Sequence, residues 1–334
     1  MGDKTRHRQS AVGALRRIDR GLRDARLRRE ALGLLRTRGQ SSRPNEVWRD
    51  ASDDLWLWIN TEGLRRVPEV RPYVPELPPS HLQVATHGNS GDAALRQGFE
   101  FYQLVRRLAE RHHAVRSWDE ATVLDYGCGW GRITRFFVRD LPPERLLGVD
   151  CVEPMVRRSI SCNPFATFQC VDPLPPTALE PSSVDVVCAF SVFSHLSEEA
   201  HLRWLAEFRR LLRPGGVAIL TTRPRGFIPE LARLGKMAAD GSGDLSVGAE
   251  WFEHEDEWLA RYDRGEYCFS PAGGTWAERG DFYGEALIPG AYVWRNWPQY
   301  LTPLEIIEDR PIGDQMVIVA MRPRPEMAVR PSPT

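Results

Sequence analysis

The stretch VLDYGCGWGR, Val123–Arg132, decides how this chain folds. A short aliphatic run ends on the carboxylate Asp125 and passes into Gly127, Gly129 and Gly131. Glycines at alternate positions let a strand turn sharply into a helix while a ligand lies against bare backbone. The next apolar run, LLGVD, ends at Asp150, 19 residues after Gly131, where a carboxylate can accept both hydroxyls of a ribose. Asp172 follows a third run (ATFQCV), AFSVFSHL ends the fourth, and LLRPGG precedes a fifth, GVAILTT. Helical segments RITRFFVRD, EPMVRRSI and EEAHLRWLAEFRRLL alternate with these runs. Such alternation predicts parallel strands with helices on both faces, a doubly wound α/β sheet.

The loop reads GxGxG, whereas a dinucleotide fingerprint asks for GxGxxG. With DYGCGWG, GVD, VDPLPP, FSVFSHL and LRPGG in order, the sequence resembles the class I S-adenosylmethionine-dependent methyltransferases over about residues 118–225 and 301–322. The resemblance implies a Rossmann-like seven-stranded sheet with an antiparallel closing strand pair, and S-adenosyl-L-methionine as cofactor. Carried over by position, Asp125, Gly127, Cys128, Gly129, Gly131 and Arg132 form the cofactor loop, and Asp150 holds the ribose hydroxyls. Asp172 faces the adenine amino group, Cys151 and Val171 flank the ring, and Phe190 and Ser191 lie beneath the sulfonium. Arg132 and Trp130 depart from the commoner small residues of that loop, and Trp130 either shields the cofactor or packs. NPFA at 163–166 resembles the NPPY-like motif of nitrogen-methylating enzymes but precedes the third strand, so it argues against that chemistry.

Methyl transfer to a hydroxyl benefits from a base, and His195, beyond the fourth strand, is the candidate; packing beneath the cofactor is its other reading. Residues 226–300 hold five of the eleven tryptophans, Trp251, Trp258, Trp276, Trp294 and Trp297, beside the acidic WFEHEDEW. Aromatic faces beside carboxylates suit a sugar, and they equally suit the core of a small lid. The acidic character argues against a polyanionic substrate. HEDE reads as a solvated acidic helix, and no metal site is assigned. SVFSHLSEEAHLRWLAEFRRLLRPGG, RGEYCFSP and DFYGEALIPGAYV look similar to bacterial methyltransferases associated with glycosyltransferases and glycan assembly. That resemblance implies O-methylation of a saccharide, with Asp281, Tyr283 and Glu285 at the acceptor. The alternatives are another small metabolite as acceptor, or a non-catalytic cofactor-binding scaffold; a nicotinamide oxidoreductase is disfavoured by the loop spacing.

Further out, residues 1–40 carry twelve Lys/Arg against four Asp/Glu, leaving 32 against 41 for the remainder. One end is therefore basic. Leu15, Ile18, Leu22, Ala25 and Leu32 give it an amphipathic helical pattern, either packed on the body or offering a weak contact to an acidic partner or membrane surface. EVWRDASDDLWLWINTEGLRRV predicts a helix, and the prolines from Pro68 to Pro79 predict a boundary. DAALRQGFEFYQLVRRLAERHHAV places Leu95, Phe99, Tyr102, Val105 and Leu108 on one helical face, with His112 and His113 as solvated or dipole partners at its end. The expected organisation is a basic arm (1–45), a helical cap with Pro-rich connector (46–117), the cofactor-binding core (118–225), a substrate-recognition insertion or lid (226–300), closing strands (301–323) and a disordered tail (324–334). No apolar run approaches the ~20 residues of a membrane span. No secretory pattern opens the chain, and the six cysteines show no CxxC pair, so a reducing, cytoplasmic setting without nucleic-acid partners is expected.

Overall fold

The computed structural model describes residues 2–41, 43–239, 254–271 and 282–324. Seven strands form one sheet in the order β3-β2-β1-β4-β5-β9-β8. They are β1 (Val123–Tyr126), β2 (Leu146–Asp150), β3 (Thr167–Cys170), β4 (Val184–Ala189), β5 (Leu212–Thr222), β8 (Thr302–Ile312) and β9 (Gln315–Met321). The first five are parallel, and β9 runs antiparallel between β5 and β8, with Thr222 opposite Met316. The doubly wound sheet with its closing antiparallel pair is thus as the sequence predicts. A separate two-stranded ribbon pairs β6 (Cys268–Pro271) with β7 (Gly284–Leu287).

Strand side chains alternate between two buried faces, the pattern of a sheet covered on both sides. Val123, Val186, Val217 and Val317 pack with the helices that precede β1, whereas Leu124, Val187, Ala218 and Ile318 pack against Trp204 and Phe208. The latter two belong to α9 (Glu198–Leu211), which is N-capped by Ser197 through its hydroxyl and the Ala200 N–H. The preceding helices are α1 (Gly2–Arg38), α2 (Pro44–Trp48), α3 (Asp53–Trp58), α4 (Leu64–Arg66), α5 (Ser80–His87) and α6 (Gly91–Arg111). Leu95, Phe99, Tyr102, Val105 and Leu108 are buried on α6, as their spacing predicts. A β-carbon on Gly98 would lie 3.2 Å from both Arg132 and Phe136, so this glycine permits the helix's close approach to the loop after β1.

The described part of the arm keeps Leu32 of the expected stripe against the core but turns Leu22 outward. Leu22 is 67% exposed, and Leu27 and Ala31 are the fully buried positions. Polar contacts choose this register: Asp24 accepts from Trp58 Nε1 at 3.0 Å and from Arg66 at 2.6 Å, while Asp54 takes Arg23 and Arg26. The Pro-rich stretch is no break in packing. Pro68–Tyr73 is a 3-10 helix whose Val70 is buried in the core that also holds Val123, and the Tyr73 carbonyl accepts from Trp48 Nε1 at 3.0 Å.

The helix expected over RITRFFVRD is short, α7 (Thr134–Phe137), and its arginines reach into the cap. Arg135, 1% exposed, donates to Asn60 Oδ1 at 3.0 Å, the Pro75 carbonyl at 2.9 Å and the Glu76 carbonyl at 3.3 Å. Arg139 bonds the Ala51 carbonyl, Asp53 and the Tyr102 hydroxyl. At α6's end His112 Nε2 lies 2.8 Å from Glu305 of β8, a tie to the sheet edge in place of solvent.

After β5 come α10 (Ile228–Ala239) and α11 (Glu255–Asp263), and after β7 comes α12 (Gly290–Asn296), while α8 (Glu153–Cys162) joins β2 to β3. Trp258 and Trp297 are buried as core, and Trp294 is 51% exposed. Trp251, Trp276 and Asp281 lie outside the described residues. Among the described cysteines Cys128, Cys162, Cys188 and Cys268 are buried and none forms a disulfide. No described helix is long and apolar enough to cross a membrane.

Candidate active site

A cleft of about 890 Å³ opens at the carboxyl ends of β1, β2, β4 and β5. In an open α/β sheet the crevice forms where the strand order reverses, here between β1 and β4. Gly127 has φ +69°, and a β-carbon there would sit 2.4 Å from Val192 Cγ2, so the loop reaches this position only without a side chain. Gly129 also adopts positive φ, and its N–H donates to Asp150 Oδ2 at 2.8 Å. The other oxygen, Oδ1, accepts from Val152 N at 2.8 Å. Two backbone donors thus fix the Asp150 carboxylate at the cleft wall.

The structure sorts the predicted loop residues into two groups. Gly127, Gly129, Arg132, Asp150, Cys151, Val171, Asp172, Phe190 and Ser191 line the cleft. Asp125, Cys128 and Gly131 lie behind this lining. The Asp125 carboxylate is turned under the loop, where Oδ2 accepts from Thr134 N at 3.0 Å and Thr134 Oγ1 at 2.5 Å and so pins the start of α7. Burial pushes this carboxyl up to about 6, against the Thr134 bonds, which lower it. The Cys128 side chain packs with Val156 and Phe168, and burial pushes its thiol far up. Gly131 faces Phe168, whose ring would lie 3.2 Å from an added β-carbon. Trp130, 1% exposed, packs in the core.

Arg132 reaches the cleft from beneath α6. Its Nη1 donates to Gln97 Oε1 at 2.8 Å, its guanidinium lies 4.8 Å from the Phe190 ring centre, and its buried Nε has no partner. Burial pulls its pKa down to about 10, with Asp125 opposing. Ser191 adopts φ +57°, a strained conformation for a residue with a side chain. Its N–H donates to Thr221 Oγ1 at 2.7 Å, and its hydroxyl lies 3.3 Å from that of Ser194.

At the far side of the cleft the ribbon meets the loop after β4. The Leu196–Tyr283 bridge and the Gly284 N–H bond to the His195 carbonyl, 2.8 Å, bring His195, Tyr283 and Glu285 together, as the sequence reading groups them. The His195 ring stacks on Tyr283 at 5.3 Å and 15°. His195 Nδ1 lies 2.9 Å from the Gly284 carbonyl and 3.4 Å from Glu285 Oε1. A carbonyl only accepts, so Nδ1 carries the proton and Nε2 is left with the lone pair. Burial alone lowers the His195 pKa; the Glu285 charge and hydrogen bond, with the Gly284 carbonyl, outweigh it and leave it raised, Arg223 opposing. Glu285 Oε2 is buried without a partner.

Sequence reading missed Arg223, Gln97 and the β8–β9 turn Gly313–Gln315, all of which line the cleft. Arg223 follows β5 directly, and a charge at the carboxyl end of a buried strand was its available signal. Trp258, Trp294 and Trp297 do not line the cleft; Phe282 and Tyr283 supply its aromatic wall on this side. Glu255, Asp256 and Glu257 occupy the first turn of α11, and no described group of three potential ligands is placed to hold a metal ion. NPFA forms a turn in which Asn163 Oδ1 accepts from Phe165 N at 3.1 Å, away from the cleft.

The donor set fits S-adenosylmethionine: Asp150 offers acceptors to ribose hydroxyls, the bare face of Gly127 admits a close ligand, and the partnerless Nε of Arg132 suits a carboxylate. Residues 123–216 match a family model described as a methyltransferase domain. Over 110 residues the chain is 36% identical to the trans-aconitate 2-methyltransferase of Azoarcus sp. (strain BH72), an alignment covering 33% of this chain and 41% of that protein. The chain thus spans less than half the length of this relative. Similar solved structures include an S-adenosylmethionine-dependent methyltransferase from Mesorhizobium loti, at 13% identity and TM-score 0.41, covering 65% of this chain and 96% of the other. Another, from Clostridium acetobutylicum ATCC 824, shows 10% identity and TM-score 0.44, covering 67% and 91%. Residues 123–216 thus match a methyltransferase domain, and their glycine loop and anchored Asp150 fit S-adenosylmethionine as the cofactor.

Proposed function

We propose that the whole chain is an S-adenosylmethionine-dependent methyltransferase that methylates an oxygen, a hydroxyl of a saccharide or glycan precursor. The carrying observation is the His195–Glu285 pair: Gly284 fixes the proton on Nδ1, Nε2 stays basic, and Glu285 Oε2 waits unpaired beside it. When bound, the cofactor supplies a methyl group made electrophilic by its positive sulfur. Asp150 and the loop at Gly127 and Gly129 hold the nucleoside side, with Cys151, Val171 and Asp172 along the base and Arg132 toward the amino-acid carboxylate. The acceptor oxygen yields its proton to His195 Nε2 as it takes the methyl, and the bonding pair stays on sulfur. Glu285 stabilises the resulting imidazolium, while Oε2 accepts from a second hydroxyl of a polyhydroxylated acceptor. Phe282 and Tyr283 offer apolar faces to its C–H groups, and Asp281, outside the described residues, completes the proposed acceptor set.

A carboxylate acceptor is the second reading, favoured by the likeness to trans-aconitate 2-methyltransferase over 110 residues. A carboxylate ionises without help, so the His195–Glu285 pair supports the hydroxyl. A cytoplasmic location and a weak contact of the basic arm with an acidic partner belong to the same proposal. Calorimetric titration with S-adenosylhomocysteine tests the cofactor half: saturable binding, lost in Asp150→Ala without unfolding, is expected. Retained binding in that variant refutes the ribose assignment. Transfer of labelled methyl to sugars by wild type, and its loss in His195→Gln, tests the acceptor half.

A further inference from the structure

At the β5 end of the cleft stands a cation with nothing to bind. Strand order sets Arg223 three strand spacings from β2 and Asp150, about 14 Å across the sheet. The Arg223 guanidinium lies 4.0 Å from the Phe227 ring centre, so its flat face is covered and its N–H edge is left for a ligand. It makes no hydrogen bond or ion pair with any described residue, and its Nε is buried without a partner. Glu285 and Asp314 are near enough to act on its charge, yet neither pairs with it, and Glu285 Oε1 is directed to His195. Removing a guanidinium from water without a carboxylate is unfavourable, whereas a planar fork of donors in a cleft matches a carboxylate bidentately.

We propose that Arg223 anchors a carboxylate carried by the methyl acceptor, so that the acceptor is a hydroxyl-bearing acid of sugar size, of the uronic-acid type. This rests on the reading of the cleft as a methyltransferase site and narrows its substrate class. The carboxylate is the handle and the hydroxyl the reacting group, because only the hydroxyl uses a base at His195. A neutral sugar leaves the Arg223 donors unmet, and a simple carboxylate leaves Glu285 Oε2 unmet. The acidic residues of 226–300 argue against a polyanionic substrate, and a single carboxylate held at Arg223 is compatible with that reading.

The test follows the Arg223 Nε–H resonance of ¹⁵N-arginine-labelled protein during titration with D-glucuronate, D-glucose and acetate at constant ionic strength. The titrations are run with and without saturating S-adenosylhomocysteine. A saturable shift with D-glucuronate, weaker with acetate and absent with D-glucose, is expected. Arg223→Met keeps the apolar stem and lowers D-glucuronate affinity, read by calorimetry, about tenfold to a hundredfold, with S-adenosylhomocysteine affinity unchanged. Equal responses to D-glucuronate and D-glucose, no response to either, or an Arg223→Met variant that binds D-glucuronate as wild type does, overturns the proposal. Acetate binding as tightly as D-glucuronate overturns its polyhydroxylated half. A D-glucuronate response in a protein that fails to bind S-adenosylhomocysteine leaves the anchor standing and removes the methyltransferase reading instead.

Discussion

Substituting Gly127 by alanine tests whether the cofactor loop is held by its missing side chain. At φ +69° a side chain costs about 1–2 kcal/mol through its clash with the following carbonyl. The added carbon would also lie 2.4 Å from Val192 Cγ2, well inside contact, and relieving such overpacking costs roughly 1–3 kcal/mol. Gly127→Ala is therefore expected to destabilise the protein by about 2–5 kcal/mol. It also displaces the backbone that borders the cofactor. Val192→Ala separates the two causes, because the clashing Cγ2 goes and the nearest remaining Val192 atom is its Cβ at 3.5 Å. In that background Gly127→Ala costs only the backbone part. The double-mutant cycle, read by urea unfolding with and without saturating S-adenosylhomocysteine, should give a coupling of about 1–3 kcal/mol. A coupling below about 0.5 kcal/mol would refute the clash, leaving backbone conformation as the whole effect.

Three further outcomes follow from the same geometry. Glu285 holds the His195 pKa up, so Glu285→Gln should move the acid limb of the rate–pH profile to lower pH, since the free base then persists further down; an unmoved limb sinks the His195–Glu285 pairing. His201 is fully buried among Tyr267, Trp297 and Phe193 with neither ring nitrogen bonded, and burial pulls its pKa from 6.5 to about 3. Its contribution is intact above 6.5 and declines by about 1.4 kcal/mol per pH unit as pH falls toward the folded value. His201→Phe should accordingly flatten the stability–pH curve across that window in chemical denaturation, and an unchanged slope argues against a neutral buried imidazole. Arg135→Met strips donors from Asn60 and the Pro75 and Glu76 carbonyls, and a loss of about 3 kcal/mol in urea unfolding is expected; a neutral result means those acceptors find other partners.

Much of this protein is legible in the local pattern of its sequence. The five parallel strands, their alternation with helices and the GxGxG loop depend on residues near in sequence, and burial on both faces of a sheet writes itself as continuous apolar runs. The cofactor side of the cleft is legible for the same reason, since Gly127, Gly129 and Asp150 sit on one strand–loop–strand unit. Within that unit the sequence does not show which way each side chain turns. Asp125 and Cys128 read as ligands and face inward, because Thr134 supplies the donors for one and Phe168 the packing for the other.

The proposed acceptor side is a product of tertiary structure. His195 is 88 residues from Tyr283 and meets it because the ribbon pairs across the loop after β4. Arg223 acquires its proposed role from Phe227 beneath it and from nearby carboxylates, Glu285 and Asp314, that do not pair with it. The buried stripe of the basic arm likewise follows Asp24 and Asp54, whose partners lie 28 or more positions away, and overrides the local apolar periodicity. Sequence by itself determined what nearest neighbours along the chain can enforce, the strand–loop–strand site for a nucleoside cofactor. Only the tertiary structure decided which distant charges are paired and which stand open in the cleft, because pairing and desolvation depend on distances through space.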